Sequence, residues 1–151
     1  MPTQFTFGAG QERISVRLTA PRNPSRDDRD ATNRLDSTVK LNMGAFSGSF
    51  KAEFTTEDLL VLHARLIEAI TSPPKTISFK NADGALSLSL EFNDQGEAII
   101  SGTIQPDRLR QASLVFRFDM QQSALSQTAE EVEDALREFK PTWTSPSHTE
   151  V

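Results

Sequence analysis

Side chains able to do chemistry are few and scattered. The chain of 151 residues holds two histidines and no cysteine. His63 sits in the run EDLLVLHARLIEAI and His148 near the C-terminus, and neither has a second imidazole at metal-ligand spacing. The lack of thiols excludes disulfides, thiolate nucleophiles, zinc knuckles and iron–sulfur clusters together, and it fits a reducing compartment. His63 falls at the edge of a leucine stripe, which reads as a half-buried boundary position. Serines are abundant but none lies in a nucleophile elbow. They recur at alternate strand positions, where a small hydroxyl suits a solvated sheet. Gly8 and Gly10 open no G-x-G-x-x-G or G-K-[ST] phosphate loop. Convergent titratable groups in a cleft are what an enzyme needs, and none can be nominated, so the expectation is a non-enzyme with no catalytic, metal or cofactor residues.

Binding is the remaining class of function. Sixteen Lys and Arg against 21 Asp and Glu leave a formal charge of -5, with a sequence pI near 5.0. Such a chain gains nothing from neutralising phosphates, so no nucleic-acid partner is expected. No apolar run approaches the roughly 20 residues of a membrane span. The N-terminal MPTQFTFGAG lacks the basic and apolar regions of a signal peptide, and the expectation is a cytoplasmic protein with no membrane partner. Glu130, Glu131, Glu133, Asp134 and Glu138, set against Arg137 and Lys140, give one segment a net charge of -3. A solvated outer face explains it simply, and the sharper reading is a surface that steers a basic protein. Glu130, Glu131, Glu133 and Asp134, together with Arg117 and Asp119, are the candidate partner-binding residues. A flat hydrogen-bonding face suits a protein better than a small ligand.

These side chains must be positioned by strands and two helices. Ile14, Val16 and Leu18 alternate with polar residues, as do Val39, Leu41 and Met43. Phe46, Phe50 and Phe54 share one strand face with Gly48 and Ala52, while Ser47, Ser49, Lys51 and Glu53 take the other. Thr55 and Thr56 offer an N-cap, and Leu59, Leu62, Leu66, Ile67 and Ile70 form the stripe of a helix stopped at Ser72-Pro73-Pro74. Strands follow at Ile77–Phe79, Leu86–Phe92, Ala98–Ile104 and Leu114–Phe118. The third places Ile100, Gly102 and Ile104 inward, and the last Leu114, Phe116 and Phe118. A second amphipathic helix spans Ser123–Phe139 on the stripe Leu125, Ala129, Val132, Leu136 and Phe139. Within it Thr128 and Glu131 have capping-box spacing.

The order β-β-β-α-β-β-β-β-α and its short connections give an α+β fold. It is expected as one twisted antiparallel sheet of about six to seven strands, with both helices on its apolar face. No internal repeat is visible. Residues 1–140 read as a single domain, 21–36 as an exposed charged loop, and 141–151 as a flexible tail that contains Trp143.

From about Met43 to Phe139 the chain resembles the WapI-type immunity protein family, small bacterial antitoxins of polymorphic toxin systems. Carrying the resemblance are a G-x-F-x-G-x-F strand (Gly44, Phe46, Gly48, Phe50) and a D-L-x-x-L-H helix start (Asp58, Leu59, Leu62, His63). LSLSLEFNDQGEAIISGTI and LVFRFDMQQSAL follow in order. The resemblance implies a protein that binds and neutralises a cognate toxin domain, with no catalytic residues to carry over. The alternative is a structural protein that self-associates through its sheet face or edge.

Overall fold

The computed structural model describes residues 3–19, 34–71, 76–81, 84–107 and 112–139. Among them are eight strands and two α-helices, in the order β1 (Thr3–Ala9), β2 (Glu12–Thr19), β3 (Arg34–Met43), β4 (Phe46–Thr55), α1 (Thr56–Thr71), β5 (Thr76–Lys80), β6 (Leu86–Phe92), β7 (Glu97–Asp107), β8 (Ala112–Gln121) and α2 (Leu125–Glu138). The α+β class, antiparallel pairing and two helices stand. The strands divide into two four-stranded sheets, β1-β2-β3-β4 and β5-β6-β7-β8, instead of one sheet of six or seven. Each sheet is a meander followed in the chain by one helix, so the element order is a β-β-β-β-α unit used twice. That repeat is invisible in the sequence because only the alternation recurs, not the residues.

Alternation places the core. In the first sheet Phe7, Ile14 and Leu41 lie in one cross-strand row, and Phe5, Val16, Val39 and Phe50 in the next. In the second sheet Ile77, Leu90, Ile100 and Phe118 form such a row. Phe5 and Phe54 meet edge to face at 6.2 Å, and Phe54 stacks on Phe79 at 6.2 Å, which carries one aromatic chain from the first sheet into the second. Gly102 is required in its row. A Cβ there would lie 2.4 Å from the Ser87 carbonyl oxygen and 2.7 Å from the Phe116 ring.

The helices close this core. Thr55 caps α1 reciprocally: its hydroxyl accepts from the Asp58 N–H at 3.0 Å, and its own N–H donates to Asp58 Oδ2 at 3.0 Å. Leu59, Leu62, Leu66 and Ala69 are buried on α1, whereas Ile67, expected on the stripe, is exposed. A single 3₁₀ turn (Gln122–Ala124) precedes α2, so the α-helix begins at Leu125 rather than Ser123. Thr128 and Glu131 are therefore inside α2 and cap nothing. Both instead hold the free edge of β1, where the Thr128 hydroxyl donates to the Thr6 carbonyl at 2.7 Å and Glu131 Oε1 accepts from the Thr6 N–H at 2.9 Å. Asn81, 3% exposed, ties the two sheets: its Nδ2 donates to the Glu53 carbonyl on β4 at 2.9 Å, and its Oδ1 accepts from the Leu86 N–H at 3.0 Å.

Arg34, Leu35 and Asp36, placed by the sequence reading in a charged loop, begin β3 instead. Leu35 is buried opposite Phe54 and supplies the apolar anchor that extends the strand. The rest of that loop and the tail with Trp143 lie outside the described residues. No helix among the described residues is long and apolar enough to cross a membrane.

Candidate partner-binding groove

The inward face of β4 runs past the material that covers it. Phe54 is fully buried, Phe50 half-buried, and Phe46, at the start of the same row of alternate residues, is 77% exposed. Facing this bare end are the first residues of β8, where Leu114 is 46% and Val115 76% exposed. Between the β3–β4 hairpin and the β7–β8 hairpin lies a groove of about 660 Å³. Met43, Phe46 and Phe50 line one wall and Ile104, Leu114 and Val115 the other, with Arg117 at its polar rim. A volume of this order is that of a binding cleft, and exposed aromatic and branched side chains beside an Arg are the composition of a protein-binding hot spot. Around Val115 the groove continues onto the outer face of the second sheet, a shallow hydroxyl-rich depression that includes Ser78, Ser89 and Ser101.

One strand edge borders the groove. The Glu53 carbonyl reaches Asn81, away from β3, so Glu53 turns its main-chain groups outward. The β3–β4 register runs without irregularity from Phe46 to Thr55. Antiparallel alternation then turns the N–H and C=O groups of Lys51, Ser49 and Ser47 outward as well. No hydrogen bond among the described residues reaches those groups. Between them Gly48 faces the groove, and a Cβ built there meets nothing within 4 Å. This is an open edge above a vacant floor.

The candidates read from sequence distribute differently. Arg117 lies in the groove, while Asp119 stands on the outer face of β8 opposite Ile99. On α2, Glu131 holds the Thr6 amide, and Glu133 and Asp134 flank Arg137 within the helix at 3.5 and 2.5 Å; Glu130 is exposed. The two groups thus sit on separate elements, with Arg117 alone at the groove. The alternation does not single out Phe46 and Leu114, whose parity is that of the inward residues of their strands. Val115 did carry a signal, being the apolar residue at an outward position of LVFRFDM. His63 is half-buried on α1, and no three His, Asp or Glu side chains among the described residues gather as metal ligands.

A family model, the immunity protein WapI-like family, matches residues 4–140. The chain belongs to the WapI-like immunity protein family. Membership of an immunity protein family implies a protein partner in general. A search of the curated proteins returns no match. Among solved structures, that titled WHY1 from Arabidopsis thaliana is similar over 97% of this chain and 95% of its own, with a TM-score of 0.56 and 11% identity. At that identity the likeness is one of fold alone.

Proposed function

We propose that this WapI-like protein binds and neutralises a cognate bacterial toxin domain in the cytoplasm without catalysis of its own, and that the groove bearing Phe46, Leu114 and Val115 makes the short-range contact. The observation that carries this reading is apolar side chain left bare beside an open strand edge in a member of an immunity family. Exposed apolar patches of this kind mark interaction sites. The net charge of -5, concentrated outward on α2 at Glu130, Glu133 and Asp134, favours a basic toxin domain by long-range attraction. Arg117 then gives the contact its polar rim.

Co-expression tests it. The C-terminal domain encoded by the neighbouring reading frame is expressed with and without this chain, and survival is scored. Rescue by the wild type and loss of rescue by Phe46→Asp support the reading; rescue by both removes the groove from it. The open β4 edge also suits a second copy of the chain. A stable closed oligomer of the purified protein by light scattering favours that alternative.

A further inference from the structure

We infer that the groove takes its partner as an added β-strand: an extended segment of alternating apolar and acidic residues that pairs antiparallel or parallel with β4 at Ser47, Ser49 and Lys51. This rests on the groove being the partner surface and states how the partner is held there. Three features point the same way. The outward N–H and C=O groups of those three residues have no partner among the described residues, and an unpaired edge is a template for main-chain pairing. The added strand's residues opposite Gly48 and Phe50 would point inward, into the groove. There Gly48 leaves open space, and Phe46, Phe50 and Leu114 offer apolar walls. A glycine in the interior of a strand weakens it, and bulges, tight bends and sites of close approach by a ligand or another backbone are where such glycines occur. No turn or positive φ requires Gly48, so a role as the floor for an incoming side chain accounts for it.

The opposite face fixes the charge. Residues of the added strand opposite Ser49 and Lys51 would lie on the outer face of the first sheet. That face carries the row Arg17–Thr38–Lys51 and, beside it, Lys40 opposite Ser49. Arg17, Lys40 and Lys51 are exposed. The nearest carboxylates on the face, Asp36 and Glu53, occupy the next row, where Glu53 pairs with Arg34 at 3.4 Å. In a chain of net charge -5 this is a local basic surface, and carboxylates at alternate positions of the incoming strand complement it. The requirement is local to the bound segment and independent of the sign of the whole partner. A single-stranded nucleic acid fits less well, because no aromatic residue among those described stands on the basic face for bases to stack on.

The test uses the full chain and a synthetic peptide alternating valine and glutamate over roughly nine residues, about the length of a long strand. A sequence-scrambled peptide, an alternating valine–lysine peptide and an oligothymidylate serve as controls. Binding of the valine–glutamate peptide, with slowed hydrogen exchange at the amides of Ser47, Ser49 and Lys51, is the expected result. Ser49→Pro removes one outward N–H at an edge position where proline is tolerated, and Gly48→Leu fills the floor. Each should weaken binding at least tenfold while the circular dichroism spectrum and urea midpoint stay near wild type. Lys51→Glu should reverse the preference toward the lysine peptide. Equal binding of the scrambled peptide, binding of the oligonucleotide alone, or no binding at all overturns the inference. In the survival assay, rescue by Ser49→Pro with failure of Phe46→Asp removes strand addition and leaves the groove as the toxin site. Rescue by both variants removes both readings.

Discussion

Replacing Thr128 by Val leaves shape nearly unchanged and deletes one hydroxyl. That hydroxyl, on a residue 2% exposed, donates at 2.7 Å to the carbonyl of Thr6 on the outer edge of β1. Valine and threonine have similar helix propensities, so the helix itself registers little change. What is lost is the sole described donor to the main-chain carbonyl of the half-buried Thr6. Leaving such an acceptor unmade costs about 1–3 kcal/mol. Glu131→Ala strands the Thr6 N–H on the same peptide edge. Glu131 is only partly buried, so water can substitute and the cost falls near the lower end, about 1 kcal/mol. The two changes act on one residue's main chain and should couple, with the double variant departing from the sum by about 0.5 kcal/mol or more. Urea unfolding followed by far-ultraviolet circular dichroism reads this directly. With a slope of about 2 kcal/mol/M, Thr128→Val should lower the midpoint by roughly 0.5–1.5 M at unchanged slope. A midpoint within about 0.1 M of wild type would refute the claim that α2 is pinned to the β1 edge by this bond. Released from the helix, that edge should also pair with other molecules, so the double variant is expected to show concentration-dependent light scattering absent from the wild type.

Three further outcomes are expected. Gly102→Ala forces a Cβ to within 2.4 Å of the Ser87 carbonyl oxygen, which main chain cannot yield cheaply; a loss of about 1–3 kcal/mol by the same urea assay is expected, and a neutral substitution would contradict the row geometry. Phe54→Ala, at 0% exposure, should cost about 3–5 kcal/mol, whereas Phe46→Ala, at 77%, should stay within about 0.5 kcal/mol; comparable losses at both would place Phe46 in the core after all. If net charge steers the partner, stopped-flow association with the cognate toxin domain should slow steeply as salt rises, and a salt-independent rate removes steering without removing binding.

Period-2 patterning marked the faces of most strands correctly because a pleated strand has only two faces to choose between. The α1 start was equally legible, since Thr55 and Asp58 satisfy each other locally and need nothing from the rest of the fold. Thr128 and Glu131 show where local reasoning stops. Their spacing is that of a capping box, and the same spacing puts two side chains on one helical face, able to grip a foreign strand edge instead. Which use prevails depends on where the helix begins, and a 3₁₀ turn ahead of Leu125 moves that point upstream of both residues. The partition into two sheets was illegible for a similar reason. A helix between β4 and β5 permits either a continued sheet or a new one, and alternation inside each strand is the same in both.

The groove follows from the same limit. Phe46, Phe50 and Phe54 obey one alternation on one strand, yet their burial runs from nearly bare to complete. A repeating pattern specifies the face on which a side chain stands; how far the opposing layer extends beneath it is set by the other sheet. Near the start of β8, Leu114 and Val115 are themselves exposed, and among the described residues the apolar row continues there without a cover. Stability alone gives no reason for phenylalanine at an uncovered position, or for glycine two residues later in a strand whose floor is vacant. Both choices make sense if the missing layer is brought by another polypeptide, as the proposed strand addition requires, and an immunity family implies a protein partner in general.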